Sequence, residues 1–473
     1  MKSINSRPVR VRFAPSPTGN LHIGSLRTAL FNWLFARHYN GTFLIRIEDT
    51  DVVRSTQEFE DSLMQSLAWT GIVADEPMIH QKSRMKIYQE FAQQLLDENK
   101  AYKCFCSESD LQKKRESTVE RLETYQYDKT CRNISNQDNS KPYVVRFKVE
   151  TVSELFTFAD DIKGQVSIPS DQIDDFVLLR TDGTVTYNFA NVVDDNEMQI
   201  TQVIRGEEHL FNTPKQILLY QAFGYEIPQF AHIPLILGPS GQKLSKRDGA
   251  TSVVEYKKDG YLPQALCNYL VRLGWSHGDQ EIFTVSEMIE HFSLKHINHS
   301  GAKFDFEKLK WVNSFYIKSL TPVQIEELFI KDLEKNLAQG TPDWTESQRY
   351  GWITLYQDRS STLKDLYDQV LKSYFLPESY DKQSLDKLIE KDVIIILELL
   401  KEELDTVKEF QKHELSDKIK AFCKQNNYKM SEISQLLRYV LIGSISGPSV
   451  FDMIVLLGPD DVKKRMSVVI AGM

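Results

Sequence analysis

The sequence predicts a parallel α/β domain that is interrupted by an inserted α+β domain and followed by an all-α half. Three observations support this prediction. An apolar strand, a turn, a helix and a second strand follow one another with short connections, as at the start of a parallel sheet. From residue 101 the composition changes to a charged, cysteine-bearing stretch. After residue 322 the apolar residues recur at helical spacing to the end of the chain.

Composition restricts the class of protein and its location. The chain has 473 residues, 41% hydrophobic and 26% charged, and this length predicts about two to four domains. Its net charge of -9 excludes an overall positive field, so contacts with nucleic acid must depend on local basic patches. Five unevenly spread cysteines, with no apolar leader and no apolar run long enough for a bilayer, predict a cytoplasmic protein with no membrane partner.

The first element is a strand, turn and helix over residues 11–37. Pro15 and Pro17 deny the turn regular hydrogen bonding, and Gly24 lets another group approach the helix entrance. The pattern predicts a helix over residues 21–37, whose free N–H groups and positive dipole end would form a phosphate site. His22 lies beside this entrance as a hydrogen-bond donor.

A second strand is predicted over residues 42–47, and acidic residues follow it directly. The carboxyl ends of parallel strands meet at one edge of a sheet, where ligands collect. Glu48 at this edge could hold an ammonium group, or it could belong to a solvated turn. The pattern alone favours neither.

The inserted stretch carries Cys104, Cys106 and Cys131. A Cys-x-Cys pair with a later cysteine is part of a zinc-knuckle pattern, but a structural zinc site needs four ligands. Residue 133 is Asn, so no fourth ligand stands in the obvious place. Bound zinc and plain buried thiols are therefore both open.

Two further segments carry polar groups at apolar positions or in a glycine-flanked loop. Tyr187, Asn191 and Arg205 lie among apolar residues, where they could satisfy one another or bind a ligand. Lys243 and Lys246 lie in a loop rich in Gly and Pro, which alone is more typical of a surface turn than of a phosphate clamp.

Taken together, these segments resemble known signatures. Residues 15–25 resemble the HIGH signature, and residues 243–247 the KMSKS signature, of class I aminoacyl-tRNA synthetases. Residues 12–19, 46–51, 190–195 and 203–208 resemble motifs of the bacterial glutamyl-tRNA synthetase family, in that family's order. Ser25 ends the first signature, where this family commonly has a small residue.

The resemblance implies a division of the chain into domains. A Rossmann-type catalytic domain would comprise residues 1–100 and 185–250, and an inserted connective, acceptor-binding domain residues 101–184. A helical stem-contact domain would follow over 251–320, and two helical anticodon-binding domains over 321–378 and 379–473.

The resemblance also implies an activity. It is the ATP-dependent attachment of L-glutamate to tRNA(Glu), through a glutamyl-adenylate and transfer to the 3'-terminal ribose hydroxyl. The implied partners are ATP with Mg²⁺, L-glutamate and tRNA(Glu), and a monomer is expected. One alternative is a non-discriminating enzyme that also charges tRNA(Gln). Another is a non-catalytic tRNA-binding paralogue, against which His22, Lys243 and Lys246 argue.

Roles for individual residues follow from the same resemblance. The implied catalytic residues are His22, Gly24, Lys243 and Lys246. The residues implied around glutamate are Arg12, Ala14, Ser16, Glu48, Tyr187, Asn191 and Arg205. Those implied at ATP are His22, Gly24, Glu208, Ile236 and Lys246. Arg359 matches the arginine with which discriminating enzymes reject tRNA(Gln). Zinc-binding relatives carry His at the position of Asn133, so Tyr127 or water would have to complete a zinc site.

Overall fold

The structure is a computed structural model that describes residues 7–51, 53–120, 126–134, 140–150, 153–244, 252–330, 344–377, 380 and 393–472. The chain divides into two compact units. The first comprises Met1–Tyr256 and Leu266–Phe306, and the second Lys257–Ala265 and Glu307–Met473. No helix within the described ranges is both long and apolar enough to cross a membrane.

The strands of the described residues all lie before residue 304. They are β1 (Arg10–Phe13), β2 (Thr42–Ile47), β3 (Ile79–His80), β4 (Ala101–Cys104), β5 (Val144–Phe147), β6 (Leu155–Asp160), β7 (Gly164–Pro169), β8 (Val177–Leu179), β9 (Gln202–Gly206), β10 (Gln229–Ile233), β11 (Ile236–Leu237) and β12 (Ala302–Lys303).

Helices alternate with the early strands and then form the remainder of the chain. Those of the first unit or at its boundary are α1 (Ile23–Tyr39), α2 (Gln57–Trp69), α3 (Met85–Asp97), α4 (Glu108–Glu120), α5 (Tyr187–Glu197), α6 (Thr213–Phe223), α7 (Val253–Lys258), α8 (Pro263–Arg272), α9 (Val285–His291) and α10 (Phe306–Ser319). The later ones are α11 (Pro322–Ile325), α12 (Glu346–Gln357), α13 (Leu363–Tyr374), α14 (Val393–Asp405), α15 (Lys412–Gln425), α16 (Met430–Ile442), α17 (Val450–Leu457) and α18 (Pro459–Gly472). Short 3₁₀ turns occur at Gln81–Arg84, Ser170–Gln172, Glu207–Asn212 and Leu294–His296, and a π-helical turn at Glu326–Ile330.

The central sheet reverses its order beside β1. Strand β2 pairs in parallel with β1 and with β3, and β10 pairs in parallel with β9. The Thr201 amide donates to the carbonyl of Arg10 at 3.0 Å, which places β9 on the other side of β1. After β1 the chain passes through α1 to β2 on one side of β1, and it later returns as β9 on the other side of β1. A sheet with this reversal has its ligand crevice at the carboxyl ends of the strands on either side.

Helix α1 is buried on most of its circumference, because apolar side chains occur all round it. It ends at Asn40 in the left-handed conformation, with φ of 53°. Gly41 follows, and a Cβ there would overlap the carbonyl of Val9. This close approach lets the chain turn at once into β2. The helix predicted over residues 21–37 is confirmed with a shift of two residues, and the strand over 42–47 is confirmed as predicted.

The insertion forms its own small sheets. Strands β4, β5 and β8 form one antiparallel sheet, and β6 and β7 form a hairpin. The hairpin turn attaches to the central sheet, because the Asp161 amide donates to the carbonyl of Phe230 at 2.8 Å, and Gln202 Nε2 donates to the Asp161 carboxylate at 2.8 Å.

The second unit is helical, as the sequence predicts. Apolar residues recur at helical spacing most clearly over residues 384–404 and 431–441, which predicts a helix in each range. The second is confirmed by α16, and the first by α14 as far as the description of the chain reaches. Arg465 of α18 is fully buried and connects three helices. Its guanidinium donates to the carbonyl of Tyr374 at 2.5 Å, to that of Phe375 at 3.1 Å, and to that of Leu441. These carbonyls lie at the ends of α13 and α16, where intrahelical partners are missing and the helix dipole is negative.

We predict that Arg465→Met destabilises the helical unit by about 3 kcal/mol, because buried carbonyls would lose a charged donor. Urea-dependent hydrogen exchange of peptides from α13 and α16 would measure the loss. Lys464→Met is the matched control, because the exposed Lys464 lies in the same helix. Its effect should stay below about 0.5 kcal/mol. Equal effects of the two substitutions would contradict a capping role for Arg465.

Candidate active site

The carboxyl ends of three strands and the start of α5 bring the predicted site residues together. Arg12 lies on β1, Glu48 follows β2, and Arg205 lies on β9. Arg12, Glu48 and Arg205 are 3%, 8% and 5% exposed, so three charged side chains are buried here. Burying a charge is costly unless it has partners. The partners of these three side chains therefore indicate which ligand groups the site can bind.

His22 caps helix α1. Its Nδ1 accepts from the amides of Gly24 at 3.1 Å and Ser25 at 3.2 Å. These amides are therefore occupied, which differs from the prediction of free N–H groups. Because Nδ1 accepts, the proton of the neutral ring lies on Nε2, which is 3.0 Å from Ser25 Oγ. Desolvation and the charge of Lys243 lower the pKa of His22. The ring is thus a neutral donor at the helix entrance.

Arg12 is bound to a carboxylate within the protein. Its Nε and Nη2 donate to the two oxygens of Asp195 at 2.9 and 3.3 Å. Asp195 Oδ1 also accepts from Arg46 Nη1 at 2.5 Å. Burial would raise the pKa of Asp195, but Arg12 and Arg46 together hold it below its usual value. Arg12 Nη1 is left as the atom that can reach a ligand.

Arg46 is the most densely partnered of these arginines and is fully buried. Besides Asp195, it donates through Nη2 to Asn191 Oδ1 at 2.5 Å and lies 3.7 Å from Asp194. Its Nη2 is 3.5 Å from Glu48 Oε1. Burial alone would lower its pKa, but the surrounding carboxylates raise it. One guanidinium thus fixes Glu48 and Asn191 relative to each other.

Glu48 has an oxygen that lacks a donor. Its backbone amide donates to the carbonyl of Pro15 at 2.9 Å, which fixes the strand end. Its Oε1 is buried, and within the described ranges no group donates a hydrogen bond to it. Burial raises the pKa of Glu48, although Arg46 and Arg12 oppose this effect. A buried carboxylate oxygen with unused acceptor capacity is suited to an ammonium group.

Arg205 has only neutral partners among the contacts of the described chain. Its Nη1 donates to Gln216 Oε1 at 2.8 Å, and its Nη2 to Thr213 Oγ1 at 2.7 Å and more weakly to the carbonyl of His209. Its Nε donates to His232 Nε2 at 3.1 Å. Burial lowers its pKa. A buried guanidinium without a directly bound carboxylate is suited to an anionic ligand.

The remaining residues predicted around glutamate lie at the start of α5 and in the loop after β1. Tyr187 begins α5, and its ring stacks on that of His209 with centroids 5.2 Å apart. Asn191 lies one turn later and donates to the carbonyl of Tyr187 at 3.1 Å. Ala14 is half-buried and Ser16 exposed in the loop after β1. All seven residues predicted around glutamate thus belong to this edge of the sheet.

Lys243 is held on a tight turn after β11. Leu237 and Lys243 form an antiparallel bridge, and the Leu244 amide donates to the carbonyl of Ile236 at 2.9 Å. Gly241 takes φ of +80° within this turn. The turn therefore sets Lys243 beside the backbone of Ile236 and within electrostatic reach of His22. Lys246 lies outside the described residues.

Two acidic residues after β9 line the same region. Glu207 accepts from the amide of Leu235 at 2.8 Å and from Lys163 Nζ at 2.5 Å, which fixes the backbone that leads into Ile236. Glu208 folds back on Gly206, where a Cβ would overlap its carboxylate.

Arg27 of α1 donates to the carbonyls of Pro234 and, at 2.9 Å, Leu273. Burial lowers the pKa of Arg27 to about 10.

The cysteines predicted as metal ligands do come together. The sulfur atoms of Cys104, Cys106 and Cys131 lie within 4.8 Å of one another. The hydroxyl of Tyr127 is 3.3 Å from Cys104 Sγ and 3.6 Å from Cys106 Sγ. Cys106 and Cys131 are 3.5 Å apart, and the Cys131 amide donates to the Tyr127 oxygen at 3.0 Å. Three sulfurs and one oxygen thus lie in one cluster, and this donor set fits a four-coordinate metal.

Arg359 lies in the second unit, in the short connection between α12 and α13, and its side chain is exposed. Its charge contributes to lowering the pKa of Arg438, although desolvation is the larger cause. The charge of Arg359 therefore reaches Arg438 electrostatically. Trp275 and Trp311 differ in environment, because Trp275 is buried and Trp311 is half exposed.

Sequence patterns alone gave no role to several residues that fix the site. Arg46, Asp194 and Asp195 lie within quoted motifs, and Arg27, Asp160 and His232 within apolar stretches. A signal was available, since Arg46 interrupts an otherwise apolar strand and Asp194 and Asp195 directly follow an apolar run. A charge at such a position requires a buried partner. The partner itself could not be named from the sequence.

Comparisons with known proteins agree with one another. A family model described as class I tRNA synthetases (E and Q), catalytic domain, matches residues 8–311, and an anticodon binding domain model matches residues 312–470. The chain is 43% identical to a glutamate–tRNA ligase of Pelobacter propionicus over 97% of both proteins. It is 42% identical to that of Geobacter sulfurreducens, again over 97% of both. A crystal structure of a glutamate tRNA ligase from Elizabethkingia meningosepticum, in complex with its amino acid, has 34% identity and a TM-score of 0.89, covering 98% of this chain and 99% of that one.

We predict that Arg46→Lys lowers the free energy of unfolding by about 2 kcal/mol or more, because one ammonium group cannot replace a planar guanidinium among several buried acceptors. Urea denaturation followed by circular dichroism would measure it. Arg37→Lys is the matched control, since Arg37 binds both oxygens of Asp75 at 2.8 Å but is half-exposed. Its loss should be below about 1 kcal/mol. Similar losses for the two variants would refute the importance of the buried network.

Proposed function

The chain belongs to the glutamate–tRNA ligase family of class I aminoacyl-tRNA synthetases, and on this premise we propose that the edge formed by β1, β2 and β9 is its substrate site. The family and the fold class predicted from the motifs are confirmed. The activity of the chain is the attachment of glutamate to tRNA at the expense of ATP. The domain boundaries given by the sequence, the roles of single residues and the metal are parts of the proposal.

Buried Arg205 is the observation that carries the assignment of the glutamate pocket. Glutamate has two carboxylates and one ammonium group, and Arg205 is a buried cation without a directly bound carboxylate. Glu48 Oε1, which accepts no hydrogen bond within the described ranges, is a matching partner for the ammonium group. Arg12, Tyr187 and Asn191 line the same space, together with Ala14 and Ser16. These residues bind and orient the amino acid.

The nucleotide lies against the entrance of α1 and the backbone of Ile236. ATP enters as its Mg²⁺ complex. A carboxylate oxygen of glutamate attacks the α-phosphorus and pyrophosphate leaves; then the terminal ribose hydroxyl of tRNA attacks the carbonyl carbon and AMP leaves. His22 Nε2, Lys243 and Lys246 are donors for the negative charge at phosphorus, each typically worth about 3 kcal/mol in a preorganised site, and Gly24 lets the phosphates approach the helix entrance. Glu208 contacts the nucleotide, and positioning carries the catalysis because no side chain acts as a nucleophile.

Zinc fits the thiol cluster of the insertion. Its ligands would be Cys104, Cys106 and Cys131, with the Tyr127 hydroxyl as the fourth, in place of the histidine for which this chain has Asn133. The separation of 3.5 Å between Cys106 and Cys131 suits the edge of a tetrahedron around a zinc ion. A zinc ion here would fix the fold of the insertion and takes no part in the chemical steps.

The helical second unit would bind the anticodon stem and loop of tRNA(Glu), with Arg359 rejecting tRNA(Gln). Arg359 is exposed and interacts electrostatically with Arg438, so both arginines supply local positive charge in a chain whose overall charge is -9. We also infer that the enzyme acts as a monomer in the cytoplasm, where its five cysteines, none of which forms a disulfide, would stay reduced.

Charging of two transcripts tests the function. With labelled glutamate and ATP at fixed salt, we expect the enzyme to charge tRNA(Glu) and not tRNA(Gln). Arg359→Gln should raise charging of tRNA(Gln) about tenfold relative to tRNA(Glu), because a bidentate donor that discriminates between bases is lost. Charging of both transcripts by the unaltered enzyme would make it non-discriminating. Charging of neither by folded, tRNA-binding protein would favour the non-catalytic paralogue.

Metal analysis tests the zinc site. We expect about one zinc ion per chain, which Cys131→Ala should remove because three ligands rarely hold structural zinc. Cys423→Ala is the control, since Cys423 is a buried free thiol of the helical unit. Chelation should speed hydrogen exchange in β4 and in residues 126–134 while β1 and β2 stay protected. Protein that binds no zinc even when refolded with it would show that these are plain buried thiols.

A further inference from the structure

A chain of buried side chains joins the hairpin of the insertion to Arg205. His232 on β10 lies opposite Arg205 on β9 in the parallel register. Its Nδ1 is 2.6 Å from Asp160 Oδ2, and its Nε2 is 3.1 Å from Arg205 Nε. Asp160 and Arg205 are 5% exposed and His232 is fully buried. The three groups therefore interact in a medium of low dielectric constant, where each contact is strong.

The position of the proton on His232 follows from its partners. Arg205 Nε can only donate, so His232 Nε2 must accept, and Nδ1 carries the single proton and donates it to Asp160. The hydroxyl of Thr213 accepts from Arg205 Nη2 at 2.7 Å and lies 3.1 Å from His232 Nε2. A second proton on the ring would place donors face to face. Burial and the charges of Arg205 and Lys163 lower the pKa of His232 against the effect of Asp160, in agreement with a neutral ring.

Asp160 is itself fixed by backbone amides. Its Oδ1 accepts from Ile162 at 3.0 Å, from Lys163 at 2.8 Å and from the amide of His232 at 3.3 Å. Burial would raise the pKa of Asp160, but these donors and the His232 ring hold it below its usual value. The carboxylate is thus ionised and its two oxygens have separate tasks. Oδ1 binds the amides, and Oδ2 binds the imidazole.

This arrangement gives Arg205 a counter-ion, Asp160, that does not contact it directly but acts through His232. The charge of Asp160 is relayed through a neutral ring, so no carboxylate competes with a ligand for the guanidinium. Nε and Nη2 are held by His232, Thr213 and His209, and Nη1 gives one hydrogen to Gln216. Nη1 keeps its second hydrogen, in a plane that the other bonds determine.

We propose that His232 and Asp160 are positioning residues for the recognition of glutamate: they fix the plane of the Arg205 guanidinium and balance its charge without occupying its ligand face. The inference rests on the proposed function, in which Arg205 binds a carboxylate of glutamate. It assigns a role in the amino-acid pocket to a residue of the inserted hairpin.

Steady-state charging by the full chain tests the proposal. His232→Phe keeps a ring but removes the acceptor for Arg205, and it should raise KM for glutamate about tenfold or more, with kcat and KM for ATP and tRNA(Glu) within about twofold. His232→Gln should restore most of the loss, because its amide can accept from Arg205 and donate to Asp160. Asp160→Asn should also raise KM for glutamate. Its oxygen would stay with the amides, its NH₂ would face His232, and the ring would change tautomer and point a donor at Arg205.

Arg205→Lys distinguishes the proposed glutamate pocket from the positioning role of His232 and Asp160. Combined with it, His232→Phe should cause little further change in KM for glutamate, since the histidine acts through the arginine. If Arg205→Lys alone leaves KM for glutamate unchanged, the proposed pocket is wrong. If Arg205→Lys raises it and His232→Phe and Asp160→Asn do not, the pocket stands and the positioning role is overturned. An equal effect of His232→Phe in both backgrounds overturns that role as well. The near-isosteric His232→Gln and Asp160→Asn keep the test decisive should His232→Phe fold poorly.

Discussion

The proposed amino-acid pocket depends on the buried guanidinium of Arg46. This group holds Asp195 and Asn191 of α5 and lies beside Glu48 after β2, while Asp195 in turn holds Arg12 of β1. Buried charges are tolerated only beside oppositely charged or hydrogen-bonding partners, because a buried charge without a partner costs several kcal/mol. The network is therefore cooperative: its members fix two strands and a helix together or not at all.

The site contains arginines of two kinds. Arg12 and Arg46 bind carboxylates of the protein directly, whereas Arg205 binds neutral acceptors and has its counter-ion behind a histidine. This contrast separates groups that build the pocket from the group most available to an anion. Motif resemblance places Arg12 and Arg205 side by side around glutamate, and only the hydrogen bonds distinguish their situations.

Local order was predictable from the sequence, whereas long-range pairing was not. The strand over residues 42–47 and the helix over residues 21–37 follow from short-range apolar spacing; the strand was confirmed to the residue and the helix with a shift of two residues. Arg46 finds Asp195 far along the chain, and Asp160 finds His232 across a strand register that no local pattern encodes. The cap on α1 was also missed, because the pattern marks a helix entrance without saying which side chain turns onto it. The approach of Tyr127 to the cysteines was foreseen only as one of two ways to complete a metal site.

The hairpin of the insertion has a consequence for how this enzyme can be rebuilt. Asp160, Asp161 and Lys163 at its turn bind His232, Gln202 and Glu207 respectively, so the turn forms part of the wall behind the proposed amino-acid pocket. An insertion of this kind cannot be exchanged between proteins as an independent unit. A chimaera that takes the rest of its insertion from a relative must keep this turn with the recipient's β9 and β10, and the safe crossover points lie before β6 and after β7.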